Sequence, residues 1–333
     1  ALLVTLFAGF TEYMPGRNRG TWSSRVSFIG NWPYPLCSLI AMGLTPLISA
    51  EWNWRVQLLI PAILSLIATA LAWRYFPESP RWLESRGRYQ EAEKVMRSIE
   101  EGVIRQTGKP LPPVVIADDG KAPQAVPYSA LMTGVLLKRV ILGSCVLIAM
   151  NVVQYTLINW LPTIFMTQGI NLKDSIVLNT MSMFGAPFGI FIAMLVMDKI
   201  PRKTMGVGLL ILIAVLGYIY SLQTSMLLIT LIGFFLITFV YMYVCYASAV
   251  YVPEIWPTEA KLRGSGLANA VGRISGIAAP YAVAVLLSSY GVTGVFILLG
   301  AVSIVVAIAI ATIGIETKGV SVESLSIDAV ANK

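Results

Sequence analysis

Glu12-Tyr13-Met14-Pro15, followed by Arg19-Gly20, returns later in the chain as Glu254-Ile255-Trp256-Pro257, followed by Arg263-Gly264. Each copy precedes two long apolar runs. The first pair of runs ends in Pro77-Glu78-Ser79-Pro80-Arg81 and the second in Glu316-Thr317-Lys318-Gly319. A charged loop, two apolar runs and a charged terminator, repeated in one order, make two parallel copies of one unit. Parallel halves of six helices are the plan of one large transporter class. The second copy predicts six spans from Val140 onward, whereas the first would hold only its last two and the end of another. The chain also begins with Ala inside an apolar run, without the basic flank and cleavage site of a signal peptide. It therefore reads as a fragment that lacks about a hundred residues, or about three and a half spans, at its N-terminus.

The composition agrees. With 56% hydrophobic and 12% charged residues and a mean hydropathy of +0.74, the chain has too much apolar surface for a water-soluble core of its size. Eight spans are expected near residues 26–49, 56–76, 140–166, 175–197, 205–222, 226–251, 265–290 and 292–315, with a shortened ninth at 1–10. The polar segments on one side of these spans carry 21 of the 24 basic residues, and the opposite loops carry only Arg55 and Lys173. Basic loops stay in the cytoplasm, so the C-terminus is expected there. The net charge of +7 thus reports orientation and attraction to anionic lipid, not nucleic-acid binding. Cys37, Cys145 and Cys245 stand far apart within spans and read as small apolar residues, with no metal site or disulfide.

Four segments follow. Residues 1–76 are the remnant of an N-terminal transmembrane half, 77–138 a cytoplasmic loop, 139–315 a C-terminal half and 316–333 a tail. Within the loop, 81–105 reads as one amphipathic helix started by Ser79-Pro80. Pro110, Pro112, Pro113, Pro123 and Pro127 then make a linker that leads to a short helix at 128–137.

Taken together, Glu12 to Gly20, Pro77-Glu78-Ser79-Pro80-Arg81-Trp82-Leu83, Asp198-Lys199-Ile200-Pro201-Arg202-Lys203, Pro257-Thr258-Glu259 with Arg263-Gly264, and Glu316 to Gly319 resemble the signatures of the major facilitator superfamily. The likeness is greatest to its sugar-porter and organic-ion branch, and within that to bacterial inner-membrane metabolite:proton symporters. It implies an all-α membrane bundle of two six-helix halves, here with about 8.5 of 12 spans. It also implies a cytoplasmic latch in which the loop acids and arginines, here Glu12 and Arg19, Glu78 and Arg81, Glu254 and Arg263, and Asp198 with Arg202, pair with helix ends of the same half. Independently, acids and bases at helix ends near a low-dielectric boundary can pair in one conformation and part in another. The plainer alternative is solvated charges that only fix topology. This sequence departs from the family at Ile315 and Pro201, and its Glu254 to Arg263 loop is longer than Glu12 to Arg19, so that Glu259 could replace Glu254 as the acid of that loop.

Arg273 stands ~14 Å into the span 265–290, near the bilayer midplane. A cation there costs about 2.5 kcal/mol or more and is normally paired or faces water. The 17 acids fall in loops or at span ends, and there is no histidine. A ligand could supply the partner; snorkelling, or an acid in preceding spans, are the alternatives. Asn151, Gln154, Tyr155 and Asn159 fall on one helical stripe, which matches the place where the resembled sugar porters carry amide and tyrosine ligands. Bundle-packing amides would read the same way. Asn269 joins Arg273 beside Gly272, Gly276 and Pro280. Prolines in Asn31-Trp32-Pro33-Tyr34-Pro35 and Gly185-Ala186-Pro187 either free carbonyls toward a cavity or kink packed helices. Tyr241, Tyr243, Tyr246 and Tyr251 either wall a site, Tyr246 being taken as a ligand, or pack.

The expected function is alternating-access transport of a small metabolite, an organic anion by virtue of Arg273, with proton coupling implied by the resemblance alone. A sugar or polyol carrier, as symporter or uniporter, is the first alternative. A non-transporting membrane sensor is the second. No nucleophile and base pair or metal cluster suggests an enzyme, and no cofactor, metal or nucleic acid is expected. The expected partners are the substrate, protons and the lipid bilayer, around a monomer.

Overall fold

The computed structural model describes residues 19–108, 110–111, 127–167, 169–257 and 260–318, and nearly all of them are helical. Six segments are long and apolar enough to cross a membrane: Glu51–Tyr75, Gly134–Thr167, Lys173–Val196, Arg202–Ser221, Met226–Glu254 and Lys261–Ile313. The last, at 53 residues, is long enough for two crossings. It breaks at Gly291, whose φ of 65° and ψ of −161° are open only to glycine. The single span expected at 26–49 is present as two shorter helices, α1 (Arg19–Asn31) and α2 (Pro33–Leu44), so all eight expected apolar spans form helix.

Proline chemistry explains the α1/α2 boundary. Pro33 has no N–H for the carbonyl of Ile29, and the Trp32 N–H takes it instead at 3.3 Å. Trp32 itself stays in the helical region, at φ −62° and ψ −31°, so the helical course continues. Phe184, three residues before Pro187, does the same between α7 (Leu172–Met183) and α8 (Gly185–Val196).

The chain divides into two compact units. One runs from Ile48 to Ala122 where described, and contains α3 (Ala50–Tyr75), whose residues are mostly exposed, α4 (Pro80–Ser85) and α5 (Tyr89–Thr107). The single amphipathic helix expected at 81–105 is thus two. Gly87, at φ 73°, turns the chain between them, and the Arg88 N–H closes the turn on the Leu83 carbonyl at 2.9 Å. Leu83 and Ala92 are buried. Arg88 grips Glu91 with two bonds of 2.7 and 2.6 Å, and Gly108 ends α5 in the left-handed conformation.

The second unit gathers α1 and α2 with everything described from residue 127 on. Its helices are α6 (Gly134–Thr167), α7, α8, α9 (Arg202–Ser221), α10 (Met226–Val244), a π-helical turn at Cys245–Tyr251, α11 (Val252–Glu254) and α12 (Lys261–Ile313). The helix expected at 128–137 is a 3₁₀ turn, Tyr128–Met132. Extended Thr133 (φ −129°, ψ 153°) separates it from α6, whose first residue, Gly134, has φ 53°. α1 packs on α8 and the π turn, α2 on α7, and α12 on both α6 and α9.

Small residues set these contacts, as expected where lipid removes the hydrophobic drive between helices. A Cβ on Gly189 would stand 2.1 Å from the Thr238 carbonyl oxygen, and one on Gly185 would stand 2.4 Å from that of Phe234. Backbone cannot yield as a side-chain tip can. Gly189→Ala should therefore cost about 1–3 kcal/mol through overpacking and lower the melting temperature of the solubilised protein. Gly208→Ala, with nothing within 4 Å, should leave it unchanged; equal melting curves for the two variants would refute this packing account.

Candidate functional site

Polar groups collect at two places in the second unit. The first lies where α6 and α12 cross. A Cβ on Gly272 would meet Leu147 Cβ at 2.8 Å and Asn151 Nδ2 at 2.9 Å, and one on Gly276 would meet the Tyr155 ring at 3.1 Å. These two glycines let the helices approach and seat Asn151 and Tyr155 against α12. One turn of helix separates Gly272 and Gly276, and between them Arg273 reaches back so that its Nη1 donates to the Tyr155 hydroxyl at 2.6 Å.

The expected stripe resolves into distinct environments. Asn151 is buried and donates to the Leu147 carbonyl at 2.7 Å. Gln154 is buried beside the Tyr241 hydroxyl. Tyr155 is half-buried and Asn159 exposed. Asn269 is half-buried and donates to the Ser265 carbonyl at 2.9 Å. Two residues that the stripe did not include complete the group. Tyr34 of α2 meets the ring of Tyr241 of α10 edge-on at 5.2 Å, and it lies within electrostatic range of Tyr155 and Arg273.

Tyr246 is placed elsewhere. It is fully buried, stacks on Tyr251 at 5.0 Å and an interplanar angle of 15°, and lies beside Tyr243 at 5.7 Å. Its hydroxyl fills the space over Gly206, where a Cβ would stand 2.4 Å away. The π turn that carries both Tyr246 and Tyr251 shifts the helical phase of this stretch, and Tyr246 faces α9 rather than joining Arg273.

The second polar group sits at the loop ends. Arg202, almost fully buried, binds Glu254 through Nε at 3.0 Å and Nη2 at 3.2 Å, binds Asp198 through Nη2 at 3.2 Å, and donates from Nη1 to the Met197 carbonyl. Thr317 donates to Glu254 at 2.6 Å. Glu316 accepts the N–H groups of Arg202 at 2.7 Å and Lys203 at 3.1 Å, which places a carboxylate on the N-terminus of α9, where the helix dipole favours it. Tyr251 and Ile315 exchange two bonds of 3.0 Å, and Lys318 Nζ donates to the Lys199 carbonyl at 2.6 Å.

Glu254 thus pairs with a helix end of its own half, the start of α9. Glu254 joins Arg202, whereas Arg263 of its own loop lies over the Tyr128 ring at 5.2 Å. The planar fork of Arg202 can hold two carboxylates and a carbonyl at once, which draws Glu254 away from its sequence neighbour. Glu78 is exposed, within electrostatic range of Arg88. Glu12 and Glu259 lie outside the described residues, as do the side chains of Arg19 and Arg81.

A family model described as "Major Facilitator Superfamily" matches residues 1–280. The chain belongs to that family. It is 99% identical, over all 333 of its residues, to the "Putative metabolite transport protein YdjK" of Escherichia coli (strain K12), and covers 72% of that protein. It is 44% identical over 328 residues to the "Inner membrane metabolite transport protein YdjE" of the same organism, covering 98% of this chain and 72% of that protein. Its fold matches the proton:xylose symporter XylE bound to 6-bromo-6-deoxy-D-glucose, with a TM-score of 0.64 at 22% identity over 94% of this chain and 68% of that one. The chain is thus a membrane transporter of metabolites with the major facilitator fold.

Burial alone would raise the pKa of Glu316, but the backbone N–H groups of Arg202, Lys203 and Lys318 outweigh it and hold the carboxyl below the ordinary glutamate value. A depressed folded-state pKa stabilises fully above the ordinary value, and that contribution is lost as pH falls through the folded value. Thermal stability of the solubilised protein should decline between pH 5 and 3 in part through this group, and Glu316→Gln should flatten that part of the profile. A variant whose stability falls in parallel with the parent would exclude the effect.

Proposed function

We propose that this family member carries a small organic anion by alternating access, with Arg273 as the cation that receives it. The observation that carries the reading is the Arg273 to Tyr155 bond. The partner is a neutral phenol, and none of the ion pairs found among the described residues involves Arg273. A phenol accepts one hydrogen bond and leaves the positive charge uncancelled. The other donors of the guanidinium fork can then face a carboxylate.

Asn151 and Asn269 spend an amide hydrogen on carbonyls one turn back, so in this reading they shape the crossing of α6 and α12. Gln154 and Tyr155 contact the cargo or hold what does, and Asn159 marks the exposed end of the stripe. The Arg202, Asp198, Glu254 and Glu316 cluster acts as the cytoplasmic latch. It ties the start of α9 and the end of α11 to the segment that follows α12, so parting it would free three elements together. Arg263, against Tyr128, anchors the loop before α12, and Glu12, Arg19, Glu78, Arg81 and Glu259 serve the matching contacts. Proton coupling and residence in a bacterial inner membrane are proposed from the likeness to the proton:xylose symporter and to YdjE.

A polyol carrier is favoured instead by Gln154 and the tyrosine hydroxyls, which suit neutral ligands. Arg273 separates the two readings. Arg273→Lys keeps the charge but loses the two-pronged geometry, and should weaken anion binding to the full-length protein; Arg273→Ala should remove most of it. A hydrogen bond to a charged group contributes ~1.5–3 kcal/mol, or about ten- to a hundredfold in affinity. Titration at matched amounts of folded protein is the measurement. Anion affinity unchanged in Arg273→Ala would sink the anion reading.

A further inference from the structure

The Tyr241 hydroxyl is sealed from solvent and has no hydrogen-bond partner among the described residues. A buried donor left unmade is costly, so such a group calls for an explanation. The Tyr34 hydroxyl and the Gln154 amide flank it without hydrogen-bond geometry, and the Tyr34 ring lies edge-on to Tyr241 at 5.2 Å. Tyr34 is in electrostatic range of Tyr155 and Arg273. One continuous polar set therefore runs from the cation of α12, through Tyr155 of α6 and Tyr34 of α2, to Tyr241 of α10. The other tyrosines with orphaned hydroxyls stand apart from it. Tyr220 is enclosed by Phe165 and Phe296, and Tyr246 is in the stack over Gly206.

We infer that the cargo is a hydroxylated carboxylate, its acid group on Arg273 and its chain hydroxyls on Tyr241, Gln154 and Tyr34. The inference rests on the anion-carrier reading and narrows it. A phenol both donates and accepts, and a primary amide does the same from two atoms, so these groups match an alcohol, which also donates and accepts. A plain alkyl chain or an aromatic ring would bring nothing for the Tyr241 hydroxyl and would keep it unpaired. A neutral polyol would satisfy the phenols and leave Arg273 without a counter-charge. Only a ligand with both functions uses both ends of the set.

The test is isothermal titration of the purified full-length protein with probes that separate the two functions: the six-carbon hydroxy acids gluconate, galactonate and mannonate, hexanoate and benzoate as acids without hydroxyls, and glucitol as the polyol without the acid. A site built around a hydroxyl rejects the analogue that lacks it. At least one hydroxy acid should bind tenfold or more tighter than hexanoate, benzoate and glucitol. Tyr241→Phe should weaken that hydroxy acid about tenfold and spare hexanoate. The same variant should keep or raise the ligand-free melting temperature, because it removes an unpartnered hydroxyl and keeps the ring. If hexanoate or benzoate binds as tightly as the best hydroxy acid, or no hydroxy acid binds, or Tyr241→Phe binds it like the parent, the hydroxyl inference is overturned and the anion reading is untouched. Glucitol binding equal to that of the hydroxy acids, unaffected by Arg273→Ala, would overturn both.

Discussion

Gly272 and Gly276 let α12 lie close against α6, and the candidate site depends on that contact. In a bilayer the tails outside are as apolar as the side chains inside, so helices join through close packing and polar contacts more than through the hydrophobic effect. The two glycines bring α12 to Leu147, Asn151 and Tyr155. A bulkier residue at either place would move the Tyr155 ring away and with it the acceptor that holds Arg273. One packing constraint thus fixes the helix crossing and the position of the only cation within the described spans that stands far from a span end.

The same helix leads to the other polar cluster. α12 bends at Gly291, continues to Ile313, and then delivers Glu316 to the N-terminus of α9 and Thr317 to Glu254. The candidate substrate cation and the candidate latch therefore lie on one run of chain with one glycine break between them. A shift of the first part of α12 on binding has a direct covalent route to the residues that hold α9 and α11. The π turn at Cys245–Tyr251 supplies a second route, because Tyr251 binds both backbone polar groups of Ile315.

Apolar runs and basic loops made the spans and the repeat legible, since those signals are local and strong. Gly87 was also on view, in Ser85-Arg86-Gly87-Arg88, yet the helical spacing of Leu83, Val95, Ile99 and Val103 hid the break it makes. Partners distant in sequence were not readable. Arg202 and Glu254 meet across 52 positions, and nothing in either loop favours that pairing over the nearer Arg263. Tyr34 stands out in the sequence only for its flanking prolines, because its closeness to Tyr241 follows from how α2 and α10 pack. Tyr246 packs in the tyrosine stack over Gly206 and not beside Arg273, and no local signal marks the π turn that changes which residues of 241–251 share a face.

The pairing of Arg273 with a phenol rather than a carboxylate has a consequence for binding. An acid at that position would satisfy the guanidinium and cancel its field, and a substrate carboxylate would then have to displace a full charge of its own sign. Tyr155 satisfies one donor, fixes a long and otherwise mobile side chain, and leaves the net charge in place. The ordering cost of the arginine is thereby met before the ligand arrives. The attraction that remains is strongest where water is excluded. Under the anion-carrier proposal, an anion at this position would stabilise a state that excludes water from it more than one that does not, and differential stabilisation of that kind is what a ligand must supply to move a two-state equilibrium.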